Sequence, residues 1–147
     1  MIQRLLHFYW RFSRPMTLGV RAAVFDSDSR VFLVRHGYTP GWHFPGGGAE
    51  AGETLLETLH RELLEEGNIR LIGAARLFGM YLNTKHTRRD HIALFVVREF
   101  QRGPRPSNWE IRDADFFPLD KLPEGTTEST KRRLAEILHE AEVDARW

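Results

Sequence analysis

A glycine-rich loop runs directly into a strongly signalled helix, and this pair of features constrains the fold more than any other part of the sequence. The loop contains the run PGGG, and glycine lets backbone approach a ligand closely because it has no side chain. Thr54 and Glu57 form a capping box, which predicts a helix over 55–66 with Thr54 as its N-cap. Gly67 and Asn68 tolerate the left-handed conformation, so they predict where the helix ends.

Three glutamates share one face of this predicted helix. Glu62, Glu65 and Glu66 are three and four positions apart, so at about 100° per residue they lie side by side. Glu66 also points into the edge of a leucine stripe formed by Leu55, Leu59 and Leu63. Clustered carboxylates near apolar groups protonate or bind a cation. A divalent ion bound by the carboxylate oxygens relieves both the repulsion between the charges and the cost of placing one of them near apolar side chains. The loop and helix together predict a metal site, although the acid cluster alone fits a solvated helix face equally well.

The segment GGAEAGETLLETLHRELLEEGNI resembles the Nudix box. Six fixed positions of that pattern match by identity, namely Gly47, Glu53, Arg61, Glu62, Glu65 and Glu66. Asn68 stands where the pattern has its last glycine, a mild departure because asparagine also accepts the left-handed conformation. The run WHFPGG at 42–47 resembles the family's entry loop, and 110–123 resembles its closing strand and turn. The resemblance covers about residues 17–140.

The resemblance implies the Nudix fold, an α/β (α+β) arrangement in which a mixed β-sheet is sandwiched between helices. We expect residues 1–147 to form one domain, with the box at 47–69 and an N-terminal extension at 1–16. Local patterns predict helices over 3–12, 55–66 and 127–141, and strands over 17–26, 31–36 and 91–100. They also predict a strand over 69–83 with a bend near Gly73 or Gly79, a loop at 101–108 and a short strand in FFPLDKLP.

The resemblance also implies roles for individual residues. Glu62, Glu65 and Glu66 would hold Mg²⁺, with Mn²⁺ as the alternative ion and the Gly46 carbonyl as a backbone ligand. Arg61 would pair with Glu53 and brace the loop around Gly47 against the helix; Glu57, four residues before Arg61, is a competing partner. The general base remains open between Glu65 and Glu110, and an ordinary loop acid is the competing interpretation of Glu110.

Substrate contacts are predicted from charge and ring chemistry. Lys85, Arg88 and Arg89, together with Arg35, are candidate cations for phosphates that the metal leaves uncovered. A solvated turn between two strands is an equally good interpretation of the segment from Lys85 to Arg89. Stacking on a nucleobase requires an aromatic ring, and the candidates are Trp42, Phe44 and Tyr81. Core packing accounts for each of these three rings at least as well.

The implied activity is metal-dependent hydrolysis of a phosphoanhydride bond in a nucleoside diphosphate derivative. No proline lies between Asn68 and Gly103, where ADP-ribose hydrolases of the family carry one, and the PGGG run lacks the glutamine of RNA 5′-end members. Elimination therefore favours a small nucleotide such as a nucleoside triphosphate. The alternatives are a catalytically silent sensor domain that binds a nucleotide and a scaffold that docks on a membrane or partner.

Composition limits the remaining possibilities. The net charge is +1, which argues against a stable nucleic-acid partner. Cysteine is absent, which excludes disulfides and thiolate zinc sites and fits a cytoplasmic protein. No apolar run approaches the roughly 20 residues of a transmembrane helix. The favoured interpretation of 3–12 is packing on the domain, with weak membrane contact as the alternative, and monomer and homodimer both stay open.

Overall fold

The computed structural model describes residues 2–106 and 109–147. In order along that part of the chain, its elements are α1 (Ile2–Ser13), β1 (Thr17–Val24), β2 (Val31–His36), α2 (Leu55–Gly67), β3 (Ile69–Leu71), β4 (Arg76–Asn83), β5 (Asp90–Val97), β6 (Phe100–Arg102), β7 (Ile111–Phe117) and α3 (Glu128–Ile137).

The strands pair in both directions, as the predicted mixed sheet requires. β5 lies between β1, to which it is parallel, and β4, to which it is antiparallel. β2 pairs antiparallel with β7, and β3 pairs antiparallel with β6. Isolated bridges from Gly19 to Gly48 and from Val34 to His43 attach the glycine-rich loop to β1 and β2.

The side chains of β1, β2 and β5 alternate between two hydrophobic cores. One core contains Leu59 and Leu63 of α2 together with Val20, Ala22, Phe32, Val34, Ala93 and Phe95. The other contains Leu134 and Ile137 of α3 together with Ala23, Val31, Leu33, Leu94 and Val96. Since successive strand residues point to opposite faces, this alternation buries both sides of the strand layer. The predicted sandwich of helices around a mixed sheet is confirmed.

The structure corrects the strand predicted over 69–83. Two strands occupy this region, and the break between them lies at 72–75, where the N–H groups of Ile72 and Gly73 donate to the Glu99 carbonyl at 3.1 and 3.4 Å. A side chain at Gly73 would collide with that of Glu99. A second irregularity falls between Leu77 and Gly79, where the pairing register with β5 shifts.

The predicted loop at 101–108 contains a short strand at its start. Residues 101 and 102 belong to β6, which was missed because a three-residue strand carries almost no periodic signal. The end of this predicted loop, residues 107 and 108, lies outside the described residues. The predicted helix over 127–141 ends earlier, at Ile137.

The N-terminal helix forms as predicted, but its favoured packing on the domain was wrong. The described apolar side chains of α1 are exposed rather than buried against a core. Among the described residues, no helix combines the length and the hydropathy that crossing a bilayer requires.

Candidate active site

Both ends of α2 lie where local signals predicted them. Thr54 Oγ1 accepts the Glu57 N–H at 3.2 Å, and Glu57 Oε2 accepts the Thr54 N–H at 2.7 Å. At the other end Asn68 adopts φ 49° and ψ 41°, a left-handed conformation, and its N–H donates to Leu64 O at 3.0 Å. The caps determine where the helix begins and ends, and burial of Leu59 and Leu63 in the core determines which way its acidic face points.

Arg61 joins the loop to the helix. Its Nε and Nη2 donate to the two carboxylate oxygens of Glu53 at 2.8 and 3.0 Å. Nη2 also donates to the Gly48 carbonyl at 3.1 Å, and Nη1 donates to Glu62 Oε1 at 2.6 Å. Glu57 is engaged with Thr54 instead of competing for Arg61. The Arg61 hydrogen bonds, with others from Glu50 and Thr58, lower the pKa of Glu53 to about 2.

Glu66, a residue of α2, holds the glycine-rich loop against the helix. Its side chain is buried at the edge of the leucine stripe, where its helical position predicts it. Oε2 accepts the Gly46 N–H at 2.7 Å, and Oε1 lies 3.2 Å from Nε2 of the largely buried His36. His36 was missed because β2 and α2 meet only in the folded chain.

Glu62 and Glu65 occupy different environments on the same face. The Glu62 side chain is 13% exposed, whereas that of Glu65 is 53% exposed, with one oxygen 3.7 Å from Arg61 Nη1. Burial raises the pKa of Glu62, hydrogen bonding to Arg61 opposes that rise, and the charges of Glu66 and Glu65 add to it. A Cβ at Gly47 would meet the Glu62 carboxylate, which would have to turn away from the loop.

The three carboxylates fit a divalent cation by their chemistry. Hard oxygen ligands suit Mg²⁺ and Mn²⁺, and the repulsion that Glu62 experiences from its neighbours would be relieved by a positive ion. Among residues 2–106 and 109–147, however, no three acidic, histidine or cysteine side chains converge on one point. Glu62 instead accepts from Arg61 and Glu66 accepts from the Gly46 N–H, while His36 Nε2 lies 3.2 Å from Glu66 Oε1.

Arg21 lies on the other side of the loop and was not predicted. Its Nη1 donates to the carbonyls of Phe44 and Gly46 at 3.0 and 3.1 Å. The proposed backbone ligand of the metal therefore already accepts one hydrogen bond. Gly46 has φ +143°, and a Cβ there would collide with the Val20 backbone. The available sequence signal was a lone arginine inside the apolar strand TLGVRAAV.

Glu110 is brought towards the box by strand pairing. Its carbonyl accepts the Gly37 N–H at 2.9 Å, next to the start of β7. The pKa of Tyr38 is raised, first by burial of its hydroxyl and then by the charges of Glu110 and Glu66. Glu110 and Glu66 thus lie within electrostatic range of the same hydroxyl group, although they are distant in sequence.

Three clefts meet at Arg21. The largest, about 740 Å³, runs between β1 and the loop around Gly47 and Glu53. A small pocket of about 160 Å³ contains His36, Tyr38 and Gly46. The third, about 500 Å³, is called the cationic cleft here, and it is lined by Arg21, Lys85 and Arg132, by His43 and His86, by four hydroxyl side chains and by a single acid, Glu128.

His43 is a partly buried residue of the cationic cleft. Its pKa is lowered to about 4, first by burial and then by the charge of Arg21, with a smaller contribution from Lys85. Lys85 was predicted as a phosphate-binding residue, and the structure places it in this cleft with Arg21 and Arg132.

The predicted substrate contacts other than Lys85 lie outside these three clefts. Trp42, Phe44 and Tyr81 are buried in the core beside α3, so their rings are not available for stacking on a base. Arg35 lies over the Trp42 ring and 3.6 Å from an oxygen of Asp113. Arg88 and Arg89 are exposed in the loop between β4 and β5 and line none of the three clefts.

Comparison with known proteins agrees with this arrangement. The family model described as NUDIX domain matches residues 15–138. The chain belongs to the Nudix family. It is 27% identical over 104 residues to the ADP-ribose pyrophosphatase of Methanocaldococcus jannaschii, a match that covers 68% of this chain and 61% of that protein. It is 41% identical over 68 residues to the RNA pyrophosphohydrolase of Halorhodospira halophila, covering 43% of this chain and 38% of that protein.

Solved structures show the same fold. The MutT NUDIX hydrolase from Burkholderia pseudomallei superimposes with a TM-score of 0.72 at 24% identity, over 84% of this chain and 98% of that chain.

The chain spans only part of the sequence relatives. Its matches cover 61% of the length of the ADP-ribose pyrophosphatase and 38% of the length of the RNA pyrophosphohydrolase.

Proposed function

We propose that this chain is a pyrophosphohydrolase that cleaves a phosphoanhydride bond in a nucleoside diphosphate derivative, with Mg²⁺ or alternatively Mn²⁺ as cofactor. The observation that supports it most is the joining of the glycine-rich loop to the acidic face of α2. Arg61 binds Glu53, Glu62 and Gly48 together, and Glu66 binds Gly46. Burial raises the pKa of Glu62 and the charges of Glu66 and Glu65 add to the rise, although hydrogen bonding to Arg61 opposes it; shifted carboxylates of this kind are common at active sites.

Glu62, Glu65 and Glu66 would hold the ion, with the Gly46 carbonyl as a further oxygen ligand. When bound, such an ion offsets the charge of the substrate and makes water more acidic. Arg61 favours the ionised form of Glu62 and holds its carboxylate in place, because the guanidinium donates to that carboxylate at 2.6 Å. Glu66 holds the loop at a fixed height above the helix through the Gly46 N–H.

The reaction itself is a substitution at phosphorus. A carboxylate removes a proton from water, the water oxygen forms a new P–O bond, and the bond from phosphorus to the bridging oxygen breaks. The leaving phosphate takes up a proton from solvent. Two carboxylates remain candidates for the base: Glu65 is exposed on the acidic face, and Glu110 lies near the same hydroxyl group as Glu66.

The cationic cleft would bind the phosphates that the ion does not reach. Arg21, Lys85 and Arg132 supply three positive side chains around one volume, against one acid, Glu128, whose Oε1 already accepts from Lys131 at 3.0 Å. A triphosphate carries about four negative charges at neutral pH, more than one divalent ion offsets. The charge of this cleft therefore favours a small nucleoside polyphosphate.

Similarity favours two other substrate classes. According to their names, the relatives named above act on ADP-ribose and on RNA. The missing proline after Asn68 and the missing glutamine in the PGGG run argue against these two substrates, but each rests on a single position and is weaker evidence than the similarity. ADP-ribose and 5′-triphosphorylated RNA therefore belong in the same test as the nucleoside triphosphates.

A substrate panel tests the proposal, with the release of cleavage products measured by anion-exchange chromatography, because hydrolysis of ADP-ribose forms two phosphomonoesters and no free phosphate. The panel contains nucleoside triphosphates, ADP-ribose and a short 5′-triphosphorylated RNA, each with and without Mg²⁺ or Mn²⁺. We expect release from at least one substrate and loss of that release in Glu62→Gln, while the exposed Glu140→Gln behaves as the wild type. Nucleotide binding with no release from any substrate would instead identify the silent sensor.

A further inference from the structure

The helix α1 separates apolar and basic side chains onto opposite faces. With Leu5 at 0° and about 100° per residue, the described apolar side chains fall within an arc from about −60° to about +100°. Arg4, His7 and Arg11 fall on the other side, between about 200° and 260°. The apolar set is between 41% and 74% exposed and consists of Ile2, Leu5, Leu6, Phe8, Tyr9 and Phe12.

Nothing in the described chain covers the apolar face. Phe8 and Phe12 contact each other edge to face, with ring centroids 5.1 Å apart, instead of packing on either core. An isolated helix of 12 residues is only marginally stable in water, and contiguous exposed apolar groups mark an interaction surface. The helix therefore gains most of its stability from a surface on which this face is buried.

The charges around the helix identify the chemistry of that surface. Residues 1–25 contain Arg4, Arg11, Arg14 and Arg21 and no acidic residue. At the start of β1, the Thr17 N–H donates to the Arg89 carbonyl at 3.0 Å, so the exposed Arg88 and Arg89 lie near the residue where the chain leaves the segment that follows α1. A helix with aromatic and leucine residues on one face and arginine on the other is suited to the interface of a negatively charged bilayer.

We propose that α1 docks the protein on the surface of an anionic lipid bilayer, with its apolar face between the headgroups and its arginines towards the phosphates. A protein groove or a second copy of this chain are the other possible occupants. The second copy is less well matched, because two like-charged helices would approach each other with no acidic partner on either.

Docking would also orient the proposed active site. Only residues 14–16 separate α1 from β1, and the cleft of about 740 Å³ is lined at its edge by Met16, Thr17 and Leu18. The bilayer would therefore lie beside the opening of this cleft that is lined by Met16, Thr17 and Leu18.

Vesicle co-sedimentation of the full chain tests this inference without reference to catalysis. We compare vesicles of phosphatidylcholine alone with vesicles that contain about 30% phosphatidylserine at about 0.1 M salt. We expect at least about tenfold tighter binding to the anionic vesicles, since each arginine near such a surface adds about fivefold. The preference should shrink sharply at about 1 M salt, where charges are screened beyond about 3 Å.

Three double variants separate the contributions. Phe8→Asp with Phe12→Asp should abolish binding to both vesicles, and Arg4→Glu with Arg11→Glu should abolish the anionic preference. Arg70→Glu with Arg112→Glu makes the same charge change at exposed sites on β3 and β7 and should bind nearly as the wild type. Circular dichroism checks that all three variants stay folded.

Three results would overturn the proposal. The first is equal binding of the wild type to both kinds of vesicle, and the second is absence of binding to either. The third is self-association in light scattering that the phenylalanine pair abolishes while vesicle binding stays absent, which would identify a second copy as the occupant. Loss of hydrolytic activity does not enter any of these readouts, so the proposed function and the docking surface can fail separately.

Discussion

Glu66 Oε2 lies 2.7 Å from the Gly46 nitrogen and accepts its hydrogen, although the two residues are 20 positions apart. This bond closes the glycine-rich loop over the helix that follows it. The carboxylate is buried, so a residue proposed to hold a metal also holds the backbone that would supply another oxygen to the same ion.

This double role predicts different outcomes for two substitutions of Glu66. Glu66→Gln keeps an oxygen that accepts the Gly46 N–H but loses the charge, so we expect activity to fall at least about a hundredfold and the free energy of unfolding to change by less than about 1 kcal/mol. Glu66→Ala leaves a buried N–H without a partner, which costs about 1–3 kcal/mol. Urea unfolding in metal-free buffer and steady-state kinetics measure the two effects. Normal turnover of the glutamine variant would mean that Glu66 only supports the loop.

The pairing of Arg61 with Glu53 predicts a pH dependence of stability. The pKa of Glu53 is about 2 in the folded chain, against an ordinary value of 4.5. A carboxylate whose pKa falls on folding contributes stability above its unfolded pKa and loses it as the pH falls towards the folded value. The stability difference between wild type and Glu53→Gln should therefore be largest above about pH 4.5 and shrink towards pH 2. Acid titrations of urea unfolding check this, with the exposed substitution Glu140→Gln as the matched control.

The end of α2 makes a graded prediction. Asn68 is left-handed, and its side-chain nitrogen donates to the Pro104 carbonyl at 2.8 Å. Asn68→Gly keeps the conformation and loses that bond, so we expect a cost of about 0.5–1 kcal/mol. Asn68→Val adds about 1–2 kcal/mol of backbone strain because a β-branched side chain resists this conformation. Equal melting temperatures for the two variants would contradict the role assigned to the left-handed turn.

The cationic cleft predicts which basic residues affect substrate binding. Lys85→Ala should raise KM for a polyphosphate substrate about fivefold to tenfold with little change in kcat, because a charge that holds substrate and transition state alike acts on binding. Arg88→Ala with Arg89→Ala should leave KM within about twofold, since both residues lie outside the clefts. Kinetics with the best substrate of the panel check both values. A tenfold rise of KM in the double variant would show that the loop between β4 and β5 contacts the phosphates.

The sequence predicted local features well because their causes are local. Thr54, Glu57 and Asn68 lie within the turns that they cap, so the bounds of α2 follow from neighbouring residues alone. Two other contacts join separate elements, and no spacing along the chain predicts them. They are the hydrogen bond from Arg21 to the loop and the approach of His36 to Glu66. Aromatic residues were ambiguous for another reason. A ring on a strand can face the core or a ligand, and only the folded structure shows that Tyr81 faces the core.

That burial of Tyr81 places it in a polar network within the core, and the network makes the last prediction. Its hydroxyl donates to Glu136 Oε2 at 2.9 Å, while Arg133 Nη2 donates to Glu136 Oε1 at 2.7 Å, and all three side chains are buried. Tyr81→Phe removes one donor from a carboxylate that keeps its other partners, so it should cost about 1 kcal/mol. Glu136→Ala strands the Arg133 charge in the core and should cost about 3–5 kcal/mol. Urea unfolding measures both variants. If Glu136→Ala costs no more than Tyr81→Phe, then water reaches Arg133 and the pair contributes little to the stability of the core.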